Sequence, residues 1–119
     1  MGNETKEISV SGLNVRSERE DDIGVVVCSG RLTSENASAL KDLVKGMIPH
    51  EKRLLIDMGE VTRMDSAGLG ALVGIYVSAK HASCELVLIN MSKPVRDLLG
   101  ISQLLSIFEA CGRFGTRIG

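Results

Sequence analysis

Apolar residues along this chain follow two rhythms. Dense runs of strand length, at residues 23–29, 53–58 and 85–90, alternate with segments whose apolar positions recur every three or four residues. The first run, Ile-Gly-Val-Val-Val-Cys-Ser, predicts a central strand buried on both faces, which Gly30 breaks. Before it, Ile8, Val10 and Val15 predict an edge strand over 8–15, weakened by Ser11-Gly12 and preceded by a loose polar tail of residues 1–7. Residues 16–22 are strongly charged and close on Asp21-Asp22, a turn signal.

Ala37, Leu40, Leu43, Val44 and Met47 share one face of a predicted helix, with Thr33 or Ser34 as its cap, Glu35 in its first turn and Pro49 as its stop. The next strand, 53–58, ends in Asp57-Met58 and is followed by a polar connector, 59–63. Asp65-Ser66 then opens a helix with the stripe Leu69, Leu72, Val73, Tyr76 and Ala79. After the third buried strand, Ser92 caps a helix carrying Pro94 in its first turn and Val95, Leu98 and Leu99 inside, ended by Gly100. Residues 104–108 predict a last short strand or packed segment, and 112–119 have no helical period and are expected to be poorly ordered. Strands alternating with helices imply crossover connections and a largely parallel sheet in one α/β domain spanning 1–119, its N-terminal strand free to run antiparallel. Periodicity leaves the strand order open.

Composition narrows the function. The formal net charge of −1 gives no broad attraction for nucleic acid or an anionic membrane, so direct binding to either is disfavoured. No apolar run approaches the roughly 18 residues of a membrane span. Cys28, Cys84 and Cys111 form no C-x-x-C pair, and the first two sit in apolar runs where a thiol serves as a small hydrophobe. That usage, with a polar N-terminus, fits a reducing cytoplasm. Aromatics are 3% of the chain, which leaves the core to aliphatic side chains and methionine.

Gly68, Gly70 and Gly74 fall in the first turns of the helix after Ser66, and each costs about 1 kcal/mol relative to Ala in a helix interior. At helical spacing Ser66, Gly70, Gly74, Val77 and His81 share a flank beside the apolar stripe, low and nearly uncharged. It suits either close packing within the domain or the approach of another backbone. Ser66 likewise has two readings, a helix cap with Asp65 or a phosphoacceptor whose modification adds about −1.5 to −2 charge. A dinucleotide fingerprint fails, because its third glycine would fall at Val73 and the following strand ends in Asn90 rather than an acid. Asp57 with Asp21-Asp22 and Lys93 departs from the order of a receiver domain. His50 and His81 have no partners at metal or triad spacing, and no cofactor or catalytic residue is indicated.

The stretch Met64-Asp65-Ser66-Ala67-Gly68-Leu69-Gly70 resembles the motif of the STAS-domain anti-sigma factor antagonists, and the likeness extends over residues 8–110. It takes in 25–32, 54–58 and 87–99, with Ser-Lys-Pro-Val-Arg-Asp-Leu-Leu. The resemblance implies a four- or five-stranded mixed sheet with helices mainly on one face. It implies a non-enzymatic, monomeric or weakly dimeric protein that binds an anti-sigma factor serine kinase when unphosphorylated and so releases a sigma factor. Phosphorylation of Ser66 from ATP would end the complex, and a metal-dependent PP2C-type phosphatase would restore it. Thr33, Ser34, Asn36, Asp65, Ser66, Ala67, Gly68, Gly70 and Gly74 would then form the partner surface. Two departures stand out: Thr33 replaces an Asp common in the family, and the usual C-terminal helix is absent or reduced to 112–119. The competing readings are a STAS scaffold or accessory subunit of a signalling assembly or lipid transporter, with no modified serine, and a small-molecule or nucleotide-binding module.

Overall fold

The computed structural model describes residues 4–103, so the expectations for 104–108 and 112–119, and Cys111 with them, lie outside the described residues. Within that span the chain forms β1 (Glu4–Val10), β2 (Leu13–Glu20), β3 (Ile23–Leu32), α1 (Ala37–Met47), a 3₁₀ turn (Ile48–His50), β4 (Arg53–Met64), α2 (Ser66–His81), β5 (Glu85–Ile89) and α3 (Lys93–Ile101). The five strands make one mixed sheet in the order β1-β2-β3-β4-β5. The first three run antiparallel, and β3, β4 and β5 are parallel. Both parallel crossovers step in the same direction, so the right-handed rule puts α1 and α2 on one face, where they pack against each other. α3 packs against β4.

The N-terminal quarter departs from its sequence reading. Ser11-Gly12 does not weaken one strand; it joins two. Val10 pairs with Leu13 across it, and both loop residues have positive φ, 47° and 89°, the backbone of a two-residue hairpin turn. Glu4 to Glu7 therefore belong to a strand and not to a loose tail. Their polarity reflects an edge position, with Lys6 and Glu7 exposed and Glu7 opposite Arg16. The charged run after Val15 likewise continues as β2 to the Asp21-Asp22 turn.

The central strands hold one buried face. In register across the sheet lie Ser17, Val26, Ile56 and Leu88, all at most 5% exposed, beneath Leu40 and Val44 of α1 and Leu72 and Ile75 of α2. The opposite side of β3 is only half covered at Val25 and Val27, and Ile23 is exposed. Burial on both faces thus fails for β3, because α1 and α2 share one side. Cys28 is fully enclosed, and burial pushes its thiol up to about 12, helped by the nearby negative charge of Asp57. In α2 the buried set is Gly68, Ala71, Leu72, Ile75 and Ala79, with Leu69, Val73 and Tyr76 half-buried. Its apolar residues run round most of the helix, since it meets both the sheet and α1, so a single stripe missed Ile75. In α3, Gly100 lies inside the helix, and the chain turns at Ser102 and Gln103. Ser92 stands at the cap position without a side-chain cap bond.

Two strands run further than expected, and this places the site. Gly30 does not end β3; it takes φ 97° at a bulge, and the strand reaches Leu32. A Cβ there would lie 2.1 Å from the Gly12 carbonyl oxygen, so glycine is the residue the hairpin contact allows. The polar connector 59–63 is the second half of β4, pairing Val61 with Gly30, Arg63 with Arg31 and Met64 with Leu32. β5 pairs only with the first half, up to Asp57. β4 therefore projects past β5 and carries Asp65 and Ser66 at its far end.

At the opposite end Glu51 is buried, its carboxylate 2.6 Å from the Arg19 Nε. Burial pushes its pKa up, against the lowering effect of Arg19. A carboxyl that protonates more easily folded than unfolded contributes fully below its ordinary value of 4.5 and loses that contribution as pH rises through the raised one. Glu51→Gln, which stays neutral, should lose less stability than the parent between pH 4.5 and neutrality, as measured by urea unfolding at a series of pH values.

Candidate functional site

Asp65 ends β4 and caps α2. Its backbone is extended, φ −113°, and its Oδ1 accepts the N–H of Ala67 at 2.9 Å and of Gly68 at 3.1 Å. The other oxygen, Oδ2, accepts the N–H of Ser34 at 3.2 Å, from the turn between β3 and α1. The Asp65 N–H donates to the Leu32 carbonyl at 3.3 Å. The N–H of Gly68 above all, joined by those of Ser34 and Ala67 and by the Arg63 charge, holds this carboxyl below the usual aspartate range against the opposing effect of burial. It is an anion held by three backbone N–H groups.

With the cap supplied by Asp65, Ser66 becomes the first residue of the helix. It is exposed, and its hydroxyl makes no hydrogen bond among the described residues. The cap explanation of Ser66 therefore falls away, since the neighbouring carboxylate does that work. A free hydroxyl at a helix N-terminus, beside an ionised carboxylate and clear of the core, can be modified without breaking a contact.

The other expected residues divide. Ser34 is exposed beside Asp65, and Thr33 is half-buried. Gly70 is exposed with open space where a side chain would go. Ser34 is thus tied to the residue before Ser66, and Gly70 stands one helical turn on from it. Ala67 is half-buried against the core. Gly68 is buried, and a Cβ on it would come within 2.7 Å of the Leu32 carbonyl oxygen, so this glycine seats α2 on the end of β3. At Gly74 the Lys41 stem lies across the helix, its Cε 2.8 Å from where a Cβ would be. The glycine flank is thus neither bare nor uncharged along its length; it is open at Gly70 and covered at Gly74. Asn36, expected on the surface, is 1% exposed and offers its side chain only to the interior. The structure also brings up two arginines that the sequence reading passed over, Arg31 and Arg63, in register on adjacent strands next to the site. The signal for them was the length of β4, which the polar composition of 59–63 concealed.

Asp57, where β5 stops pairing with β4, is taken up by structure: its oxygens accept the Gly59 N–H at 2.9 Å and the Asn90 side-chain amide at 3.2 Å. Lys93 pairs with Asp97 at 2.7 Å, one helical turn on. No cluster of metal-binding side chains occurs among the described residues.

This order of elements, with an Asp-Ser-Ala-Gly-Leu-Gly helix start at the end of a long parallel strand, has counterparts among known proteins. The family model described as "Mlab, STAS domain" matches residues 15–108. The chain belongs to the STAS domain family. An anti-sigma-B factor antagonist of Listeria monocytogenes is 33% identical over 93 residues, 77% of this chain and 82% of that protein. Among solved structures, an anti-sigma factor antagonist from Mycobacterium paratuberculosis superposes with a TM-score of 0.68 at 23% identity, covering 81% of this chain and 82% of that one. The antagonist SpoIIAA in its unphosphorylated form gives 0.63 at 17% identity, over 85% and 82% of the two chains. These likenesses place the five-stranded mixed sheet and its helices in the STAS fold, and the Listeria relative places the chain among the anti-sigma factor antagonists. Among the described residues no helix is long and apolar enough to cross a membrane.

The two glycines of the first turn should respond oppositely to a methyl group. Gly70→Ala, in open space, should stabilise the domain by up to about 1 kcal/mol through helix propensity. Gly68→Ala should destabilise it, because the new carbon meets the Leu32 carbonyl and the Met64 side chain. Urea denaturation of both variants checks the pair.

Proposed function

We propose that this STAS protein is a phosphorylation-switched antagonist acting in the cytoplasm. In its unphosphorylated form it binds an anti-sigma factor that is also a serine kinase, which frees a sigma factor. The kinase transfers the γ-phosphoryl group of ATP to the Ser66 oxygen, ADP leaves, and the complex separates. A metal-dependent PP2C-type phosphatase removes the phosphate by hydrolysis. The protein is a substrate and a binding partner in this cycle and supplies no catalytic group.

The observation that carries the reading is the division of labour at the start of α2. Asp65 satisfies the N–H groups of Ala67 and Gly68, while the hydroxyl of Ser66 is exposed and makes no hydrogen bond among the described residues. A phosphate there adds about −1.5 to −2 charge. The positive end of the helix dipole accommodates it, so the fold need not move. A docked partner, by contrast, would have to desolvate that charge next to the ionised Asp65. Release then follows from local repulsion and needs no conformational change. Ser34, Thr33 and Gly70 are the neighbours that would share the docking surface with Ser66.

Intact-mass spectrometry with site mapping, after incubation with lysate of the native host and ATP, tests the modification. One phosphate on Ser66, absent in Ser66→Ala, supports the switch. No label, with a control phosphoprotein labelled in the same lysate, favours a scaffold or accessory role. With the kinase in hand, Ser66→Ala should bind as tightly as the parent and resist release by ATP. Ser66→Asp should bind at least about tenfold more weakly, the scale of one unfavourable charge desolvated at an interface. Equal affinities for the two variants would overturn the charge mechanism.

A further inference from the structure

Asn36 was expected to touch a partner, yet its side chain is enclosed and fully engaged. Its amide nitrogen reaches three carbonyl oxygens: Arg31 at 2.9 Å, Ser11 at 3.1 Å and Val10 at 3.3 Å. Its Oδ1 accepts the N–H of Thr33 at 3.0 Å. One short side chain therefore ties three stretches of backbone: the β1–β2 hairpin tip, the end of β3 and the turn leading into α1. An asparagine is suited to this, having two donor hydrogens and an acceptor on one rigid plane. Enclosed as it is, each tie is costly to break without replacement.

The ties continue to the switch. Arg31 donates its backbone N–H to the Gly12 carbonyl at 3.0 Å, closing the hairpin tip onto the end of β3. The Thr33–Ser34 turn that Asn36 holds presents the Ser34 N–H to Asp65 Oδ2. Asp65 in turn caps the helix on which Ser66 stands. The hairpin tip and the helix start are distant in sequence, yet every step between them is a backbone hydrogen bond or a contact of Asn36 or Asp65.

We propose that Asn36 is the positioning residue of the Ser66 switch, holding the Ser11–Gly12 hairpin tip and the Thr33–Ser34 turn as one unit against the Asp65 cap. The proposal rests on the reading of Ser66 as the switch, and it widens that site to include the hairpin tip. A change at the tip is felt at the cap through Asn36, and loss of Asn36 uncouples the two while leaving the sheet and α2 in place.

The test needs no partner and no phosphate, so its failure is separate from failure of the phosphorylation reading. Amide exchange and side-chain titration are followed by NMR in the parent, in Asn36→Ala and in Val44→Ala, a buried α1 substitution away from the hub that lowers global stability. In Asn36→Ala the Ser34 amide should exchange about tenfold faster than in the parent, while Ala67, Gly68 and the β3–β5 amides change no more than in Val44→Ala. The Asp65 carboxyl should titrate higher, toward the ordinary aspartate value, because it loses the Ser34 N–H and keeps Gly68, Ala67 and Arg63. Gly12→Ala probes the coupling from the other end, since its Cβ would meet the Arg31 guanidinium at 2.6 Å. It should shift the Ser34 and Asp65 amide resonances with Asn36 present and leave them unmoved in the Asn36→Ala background. Equal acceleration of Ser34 in Val44→Ala and Asn36→Ala, or an unchanged Asp65 titration, would overturn the proposal. If Asn36→Ala does not fold, Gly12→Ala alone decides: no response at Ser34 and Asp65 also overturns it.

Discussion

The parallel pairing of β3 with β4 beyond the end of β5 is the contact on which the rest of the site depends. Up to Asp57 the two strands lie inside a sheet with neighbours on both sides. Past it, among the described residues β4 pairs with β3 alone, and β4 carries an extra residue at each of two register shifts. Beside the second shift Gly30 takes a positive φ and lets the Gly12 carbonyl come close. Leu32 and Met64, paired at the end, are buried and anchor the extension, while Gly68 lets α2 settle directly on the Leu32 carbonyl. A side chain at either glycine would push these pieces apart.

That extension does two things chemically. It delivers a carboxylate, Asp65, to a point where the N–H groups of a helix start and of a neighbouring turn converge on it. It also leaves the next residue, Ser66, exposed and without a side-chain hydrogen bond among the described residues. In this arrangement the stabilising anion is permanent and the reactive hydroxyl is separate from it. A protein that used the serine itself as the cap would lose a helix bond on modification. On the proposed switch, a phosphate on Ser66 would change the surface charge and leave the Asp65 cap bonds intact, which suits a surface read by another protein.

The polar interior of the domain is concentrated at its two ends. Near Ser66 it is Asn36, neutral and satisfied by four backbone groups. At the other end it is Glu51, titratable and paired with Arg19 beside the His50 carbonyl, to which Arg19 also donates. The neutral hub fixes geometry without dependence on pH, whereas the ion pair makes the far end sensitive to it. The region between is aliphatic, and Cys28 within it is held as a neutral thiol.

Much of this was legible in the chain itself. Apolar runs marked β3, the first half of β4 and β5, the three- and four-residue rhythm marked α1 and α3, and the Asp-Ser-Ala-Gly-Leu-Gly stretch marked the start of α2, because local hydrogen bonding and side-chain periodicity are properties of short segments. The strand order, the hairpin at Ser11-Gly12, the second half of β4 and the roles of Asn36, Gly68 and Gly74 came only from the tertiary structure. Each depends on a residue far away in sequence: Gly30 on Gly12, Gly68 on Leu32, Gly74 on Lys41, Asn36 on Val10 and Ser11. Polar strands such as 59–63 carry no periodic signal, since edge pairing beyond the core is satisfied by backbone bonds alone. The sequence named the serine, and only the fold showed that Asp65, tied to the distant Ser34, takes the cap in its place.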